Sequence, residues 1–195
     1  MFTIIQEFTE KYRGFRGSLF SIHPLSGCER LSTLLTKSMR VHYLSGDDQR
    51  AEQIFSQVQT LCMKHDLLGC MVDAHLTASN FEWDRRDKAC RVNALMGYMI
   101  AVVYSIVSQP MESVANVQLH IIRRLVNHNH KSDLSDYDSM LEEARNSFLK
   151  TIPAAKEMLF LVFWPFEVIR TVLPFVGDES RLSIELQRAM RSLRP

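Results

Sequence analysis

The sequence predicts an all-α protein, a single bundle of eight to ten helices with a kinked, proline-containing apolar helix near the C-terminus. The 195 residues include only seven glycines and six prolines, fewer than a turn-rich β fold uses. Apolar residues recur at spacings of three and four along most of the chain, which is the period of a helix. The length suits one domain, residues 1–195, with an alternative division into an N-terminal helical lobe (1–80) and a core (81–195).

Start and stop signals divide the first half of the chain into helices. Residues 2–12 form a short amphipathic helix, and the capping box at 26–29 begins the next. Residues 45–48 end that helix and start another, and a turn near Asp66 precedes a fourth. Asn80 is expected to cap the helix after that. The aliphatic face assigned to the second helix consists of Leu31, Leu34, Leu35 and Met39.

The second half has two strongly apolar segments. Residues 94–107 carry no charge and suit a helix buried on all sides, with Gly97 placed to let a neighbouring helix approach closely. Residues 152–176 are the most apolar and aromatic part of the chain, and the other helices are expected to organise around them. Pro165 removes a donor inside this segment and predicts a kink or a restart. Asp178 is expected to open the last helix.

Residues 152–176 have two interpretations. The segment is long enough to cross a bilayer, but Lys156, Glu157, Glu167 and Arg170 oppose a simple span. It is either a kinked core element or a surface for a membrane or a partner. For the second case, the predicted contact residues are Trp164, Pro165, Phe166, Glu167 and Arg170. Glu167 and Arg170 are three residues apart and are expected to pair on a helix.

The remaining charged and polar groups predict no catalytic site and no cofactor. His128, His130 and Asp133 are weak candidates for a metal site, for which a polar loop is the simpler interpretation. No phosphate-binding or hydrolase motif is present, and an enzyme would need a concave polar pocket lined by a histidine or a carboxylate. The last helix is predicted to carry a basic face formed by Arg181, Arg188, Arg191 and Arg194. It lacks the aromatic residues that stack on bases, so no sequence-specific nucleic-acid binding is expected.

The four cysteines, Cys28, Cys62, Cys70 and Cys90, include no Cys-x-x-Cys pair. The sequence therefore predicts buried, reduced thiols and an intracellular, reducing compartment. A net charge of +1 provides no overall field that would draw nucleic acid or an anionic membrane to the surface.

Three stretches follow one another in the C-terminal half: IIRRLVNHNHK, LSDYDSMLEEARNSFLKTIP and LFLVFWPFEVIRTVLP. Their order resembles the beginning of the ribosome-binding domain of the LETM-type family, which is found in the mitochondrial inner membrane. The resemblance covers about residues 117–175, and Pro165, Phe166 and Glu167 correspond to the Pro-Phe and acidic positions of that family. Acidic residues replace the family's basic run after Leu134, and the spacing between the prolines is longer. The resemblance implies a 14-3-3-like helical fold, a mitochondrial membrane location, ribosome contact and a role in cation and proton balance.

These observations predict a non-enzymatic helical scaffold or accessory subunit, mitochondrial and associated with a membrane or a ribosome as in LETM-type proteins. The alternative is a soluble helical module for protein–protein interaction, such as an adaptor or a virion matrix-type protein. Both functions require a protein partner or a large assembly, and both are compatible with an oligomer.

Overall fold

A computed structural model describes residues 27–108, 111–127 and 136–192, which contain eight α-helices and no strand. The all-α prediction is confirmed. The predicted helix 2–12, Ser26 of the capping box, the loop with His128, His130 and Asp133, and Arg194 all lie outside the described residues. The helices are α1 (Gly27–Ser45), α2 (Asp48–Lys64), α3 (Leu68–Asp84), α4 (Lys88–Ser108), α5 (Met111–Asn127), α6 (Tyr137–Thr151), α7 (Leu159–Val172) and α8 (Glu179–Ser192).

Carboxylate side chains start several helices where the sequence predicts them. The Asp47 carboxylate accepts a hydrogen bond from the Arg50 N–H at 3.2 Å, and Asp178 accepts from the Arg181 N–H at 3.1 Å. Both bonds satisfy amide groups that have no partner within the first turn of a helix. The prediction that Asn80 caps the fifth helix is wrong, because α3 continues past it to Asp84. Asp87 takes that place at the start of α4 and accepts from the Cys90 N–H at 3.1 Å.

Two clusters of buried side chains meet on α3. The smaller cluster joins α1, α2 and α3 and includes Met39, Val58 and Met71. The main core is formed by residues of all the helices from α3 through α8 and includes Trp83, which is fully buried. Adjacent residues of α3 belong to different clusters, so α3 packs against both clusters. The predicted division of the chain at residue 80 falls near the C-terminal end of α3.

The contact between α3 and α4 depends on a residue without a side chain. A Cβ atom built on Gly97 would lie 2.2 Å from the Ser79 Oγ, which is too close for two non-bonded atoms. The predicted close approach at Gly97 is therefore confirmed. By length and composition, α4 is the one described helix that could span a membrane, with a mean hydropathy of 1.5. Because 56% of that apolar stretch is buried and core helices pass the same criterion, this property does not indicate a location.

Helix α7 runs from Leu159 to Val172 and continues through Pro165. Short 3-10 helices precede it at Pro153–Met158 and follow it at Leu173–Phe175. Pro165 has no N–H, so the carbonyl of Leu161, four residues earlier, loses its helical partner. The Gln118 side chain of α5 donates to that carbonyl at 2.7 Å. A neighbouring helix thus supplies the hydrogen bond that the proline removes.

Candidate functional site

The described part of the chain offers its most apolar exposed surface on α1. Ser32, Met39 and Tyr43 of this helix are buried against α2 and α3. Another side exposes four aliphatic residues, which we name the α1 stripe: Leu31 (47% exposed), Leu34 (62%), Val41 (63%) and Leu44 (70%). Their spacings of three and seven residues place them along one face of a helix. The four residues predicted to form one apolar face are divided, because Met39 is buried and Leu35 partly buried, whereas Leu31 and Leu34 are exposed.

Beside the α1 stripe, α1, α3 and α5 enclose a partly open polar cleft of about 380 Å³, here called the α1–α3 cleft. Cations stand on its α1 wall and a carboxylate stands on its α3 wall. His120 is the residue that α5 contributes. The lining residues are Thr33, Thr36, Lys37, Arg40, Cys70, Asp73, Leu76, Thr77, Asn80 and His120.

A hydrogen-bonded network holds Asn80 and His120, two residues that line the cleft. The hydroxyl of Tyr98, which is fully buried on α4, donates to Asn80 Oδ1 at 2.7 Å. The Asn80 Nδ2 then lies 3.5 Å from the His120 Nε2, which must act as the acceptor because an amide nitrogen only donates. Arg124 donates to the Asn80 carbonyl at 3.3 Å and forms an ion pair with Asp84. These contacts fix α5 against α3 and hold one ring nitrogen of His120 in place.

The surroundings shift the pKa values of the two ionisable groups on the α3 and α5 walls. Burial lowers the pKa of His120, and the positive charge of Arg124 acts in the same direction. The imidazole is therefore neutral near pH 7. Asp73 keeps contact with solvent, but the walls around it displace part of its hydration and raise the pKa of its carboxyl, an effect that His120 opposes. The raised pKa indicates a carboxylate that is incompletely solvated.

Among the described residues that line the cleft, no nucleophile is paired with a base. The Thr33 and Thr36 hydroxyls donate to carbonyls of their own helix at 2.9 and 3.0 Å. His120 is engaged by Asn80. Burial raises the pKa of the Cys70 thiol, which opposes formation of the reactive thiolate. The cleft meets the requirement for a polar pocket with a histidine and a carboxylate.

The structure places the predicted contact residues of α7 in two different environments. Trp164, Pro165 and Phe166 are buried in the main core, with Phe166 fully covered. The assignment of these three to a partner or membrane surface is therefore corrected: other helices of the same chain cover them. Glu167 and Arg170 lie on the outer side, 43% and 54% exposed, with their charged groups 3.9 Å apart. Arg170 lies closer to Asp138 of α6, at 3.0 Å.

The predicted basic face of α8 lies at the surface. The Arg181 and Arg188 side chains are 74% and 71% exposed, and Arg191 is exposed as well. Arg188 pairs with Glu185 at 2.7 Å, which neutralises part of the face. For metals, the described segments contain no group of three or more histidine, cysteine, aspartate or glutamate side chains that could hold an ion.

The four cysteines are free thiols, and Cys62 is the buried one. Its Sγ lies 3.1 Å from the Ser32 Oγ, a contact that joins α2 to α1. Cys28, Cys70 and Cys90 are partly exposed, so the prediction that all four thiols are buried is wrong. These three lie at the edges of helical faces rather than at their centres.

Comparison with protein-family models, with curated proteins and with solved structures gives no significant match to this chain.

Proposed function

We propose that this protein is a non-enzymatic helical interaction module that binds an amphipathic helix of a protein partner along the α1 stripe. The observation that carries the proposal is the exposure of Leu31, Leu34, Val41 and Leu44 on one helical face. Single exposed leucines are ordinary, but several exposed apolar side chains on one helical face are a feature of interaction sites. An apolar stripe at these spacings matches the way an amphipathic helix packs against another.

The charges around the stripe define the chemistry of the partner. Arg30, Lys37 and Arg40 are exposed on α1. A partner helix with leucine-like anchors and acidic flanking residues would place its carboxylates beside these cations. Two copies of α1 packed together would bring the same cations face to face, which opposes a symmetric dimer. The preferred occupant is therefore an acidic amphipathic helix of a different protein.

The test is site-specific photo-cross-linking in cells, with the cross-linker placed at position 34. The matched control position is Ile184, an aliphatic residue on α8 that is 58% exposed. We expect a heteromeric product from position 34 and none from position 184. The cross-linked segment, made as a peptide, should bind the wild-type chain and the Ile184→Glu variant equally. The Leu34→Glu variant should lose at least about tenfold in affinity, because the loss of a hot-spot anchor costs about 2 kcal/mol or more.

Three outcomes would overturn the proposal. A homodimeric product would assign the stripe to a second copy of the chain. A cross-link within one chain to residues 2–12 would mean that the protein's own predicted N-terminal helix occupies the stripe. If the Leu34→Glu variant bound the peptide as tightly as the wild type does, the cross-link would report proximity to the stripe and not recognition by it.

The second candidate function is association with a mitochondrial ribosome or membrane, as the LETM resemblance implies. The exposed arginines of α8 favour it, because ribosomal RNA is a polyanion. We expect the chain to co-sediment with mitochondrial ribosomes at low salt and the Arg181→Gln/Arg188→Gln/Arg191→Gln variant to co-sediment less. Equal sedimentation of the variant and the wild type would remove this candidate and leave the stripe proposal intact.

A further inference from the structure

The α1–α3 cleft has the size and walls of a small-molecule site. Its volume of about 380 Å³ lies near the lower end of the range for ligand pockets, about 300–1,000 Å³. A ligand of the size of one amino acid fits within this space. Leu76 adds an apolar patch to the otherwise polar lining, which would accept a short aliphatic group.

Charges of opposite sign face this space without neutralising each other. Lys37 and Arg40 belong to the α1 wall and Asp73 to the α3 wall. Among the residues that the structure describes, none of these three side chains forms an ion pair. All three side chains keep contact with solvent. Here, cations and a carboxylate line the two sides of a space that a ligand could fill.

The third wall adds neutral hydrogen-bonding groups at fixed positions. The Asn80 amide and the His120 ring are held by the network that begins at the buried Tyr98 hydroxyl. The His120 ring lines this wall and offers a neutral hydrogen-bonding group to a ligand. Preorganised groups of this kind reduce the ordering that binding requires.

We propose that the α1–α3 cleft binds a free α-amino acid, with the ligand carboxylate at Lys37 and Arg40 and its ammonium group at Asp73. A zwitterion satisfies both walls at once, whereas a simple anion leaves Asp73 unpaired and a simple cation meets the two positive side chains. The incomplete hydration of the Asp73 carboxylate, indicated by its raised pKa, favours an ammonium partner in the same way. The cleft and the α1 stripe use different residues of α1, except that Lys37 and Arg40 line the cleft and also flank the stripe.

The experiment is calorimetric titration of the full chain with a panel of L-amino acids up to millimolar concentrations. The best ligand is then compared with its N-acetyl derivative, which lacks the ammonium group, and its α-amide, which lacks the carboxylate. We expect binding of at least one amino acid and at least tenfold weaker binding of both derivatives. A lost hydrogen bond to a charged group has an effect of this size.

Substitutions in the cleft assign each end of the ligand. Asp73→Asn should weaken the parent amino acid by about tenfold or more and leave the N-acetyl derivative unchanged. Arg40→Gln should weaken the parent and leave the α-amide unchanged. Glu143→Gln on α6, which does not line the cleft, is the matched control and should have no effect. All three side chains are exposed, so circular dichroism should show unchanged folding.

The proposal is overturned if no amino acid of the panel produces heat of binding. It is also overturned if the parent ligand binds the Asp73→Asn and Arg40→Gln variants as tightly as it binds the wild type. Loss of peptide binding in the Leu34→Glu variant, with amino-acid binding retained, would show that the two sites are separate.

Discussion

The hydrogen bond between Gln118 and the Leu161 carbonyl provides the sharpest test of the fold. It replaces the bond that Pro165 cannot make, and the Gln118 side chain is only 7% exposed. Gln118→Met keeps the length of the side chain and removes the donor, which leaves the Leu161 carbonyl without that partner at a part-buried position. Such a group costs about 1–3 kcal/mol. For a chain of this size, 2 kcal/mol corresponds to a decrease in Tm of about 4–8 °C.

The same substitution has a different cost when the proline is absent. In a Pro165→Ala background, the Ala backbone N–H can donate to the Leu161 carbonyl, so Gln118 is no longer its only partner. We therefore expect the cost of Gln118→Met to fall by at least about 1 kcal/mol, which appears as coupling in a double-mutant cycle. Gln187→Met, at an exposed position of α8, is the control and should stay within about 0.5 kcal/mol of the wild type.

Urea unfolding followed by circular dichroism measures all five proteins. The fluorescence of the two tryptophans, both in the main core, provides a second probe. Gln118 does not replace the lost helical hydrogen bond if Gln118→Met costs no more than the Gln187→Met control. The same conclusion follows if the cost of Gln118→Met is the same with and without the proline.

Three further predictions test separate parts of the structure. Gly97→Ala should destabilise the protein, because the new Cβ would lie 2.2 Å from the Ser79 Oγ. Adding Ser79→Ala should restore most of the loss, since the Ser79 Cβ is 3.6 Å away. Thermal unfolding of the single and the double variant checks this, and equal losses with and without Ser79→Ala would contradict it. Burial lowers the pKa of His75 to about 4 from about 6.5, so the unfolded state binds the proton more tightly. The free energy of unfolding should therefore fall as pH decreases from about 6.5 through 4, by up to about 3 kcal/mol. His75→Gln should flatten this part of the pH profile of urea unfolding, and an unchanged profile would refute the assignment. Glu167→Ala should change the free energy of unfolding by less than about 0.5 kcal/mol, because Glu167 and Arg170 are half exposed and their charged groups are 3.9 Å apart. A double-mutant cycle with Arg170→Ala should show no coupling, and coupling above about 1 kcal/mol would contradict the solvent-facing geometry.

Local signals in the sequence predicted the fold where neighbouring residues determine it. Asp47 and Asp178 start helices because a carboxylate satisfies amide groups of the next turn, and that chemistry lies within three residues. Gly97 was identified because a residue without a side chain in a long apolar helix indicates a close contact. Pro165 indicated a lost hydrogen bond, but its replacement comes from Gln118, 43 residues from Leu161, which no local pattern shows.

The candidate sites were harder to predict for the same physical reason. Helix α1 is apolar on more than one face, and periodicity alone does not indicate which face the rest of the protein covers. The signal was present in Val41 and Leu44, which continue the line of Leu34 beyond the buried Met39. The α1–α3 cleft is assembled from three helices that lie far apart in the sequence. Its charges become a site only when those helices pack together.

The chain presents the α1 stripe to solvent and buries Trp164 and Phe166 of α7 among its own helices. Carbene footprinting of the purified full chain without detergent measures this directly, since the label reports the accessibility of each side chain. We predict strong labelling at Leu34, Val41 and Leu44 and almost none at Trp164 and Phe166. Labelling of Trp164 and Phe166 equal to or above that of α1 would contradict the account and assign the exposed surface to α7.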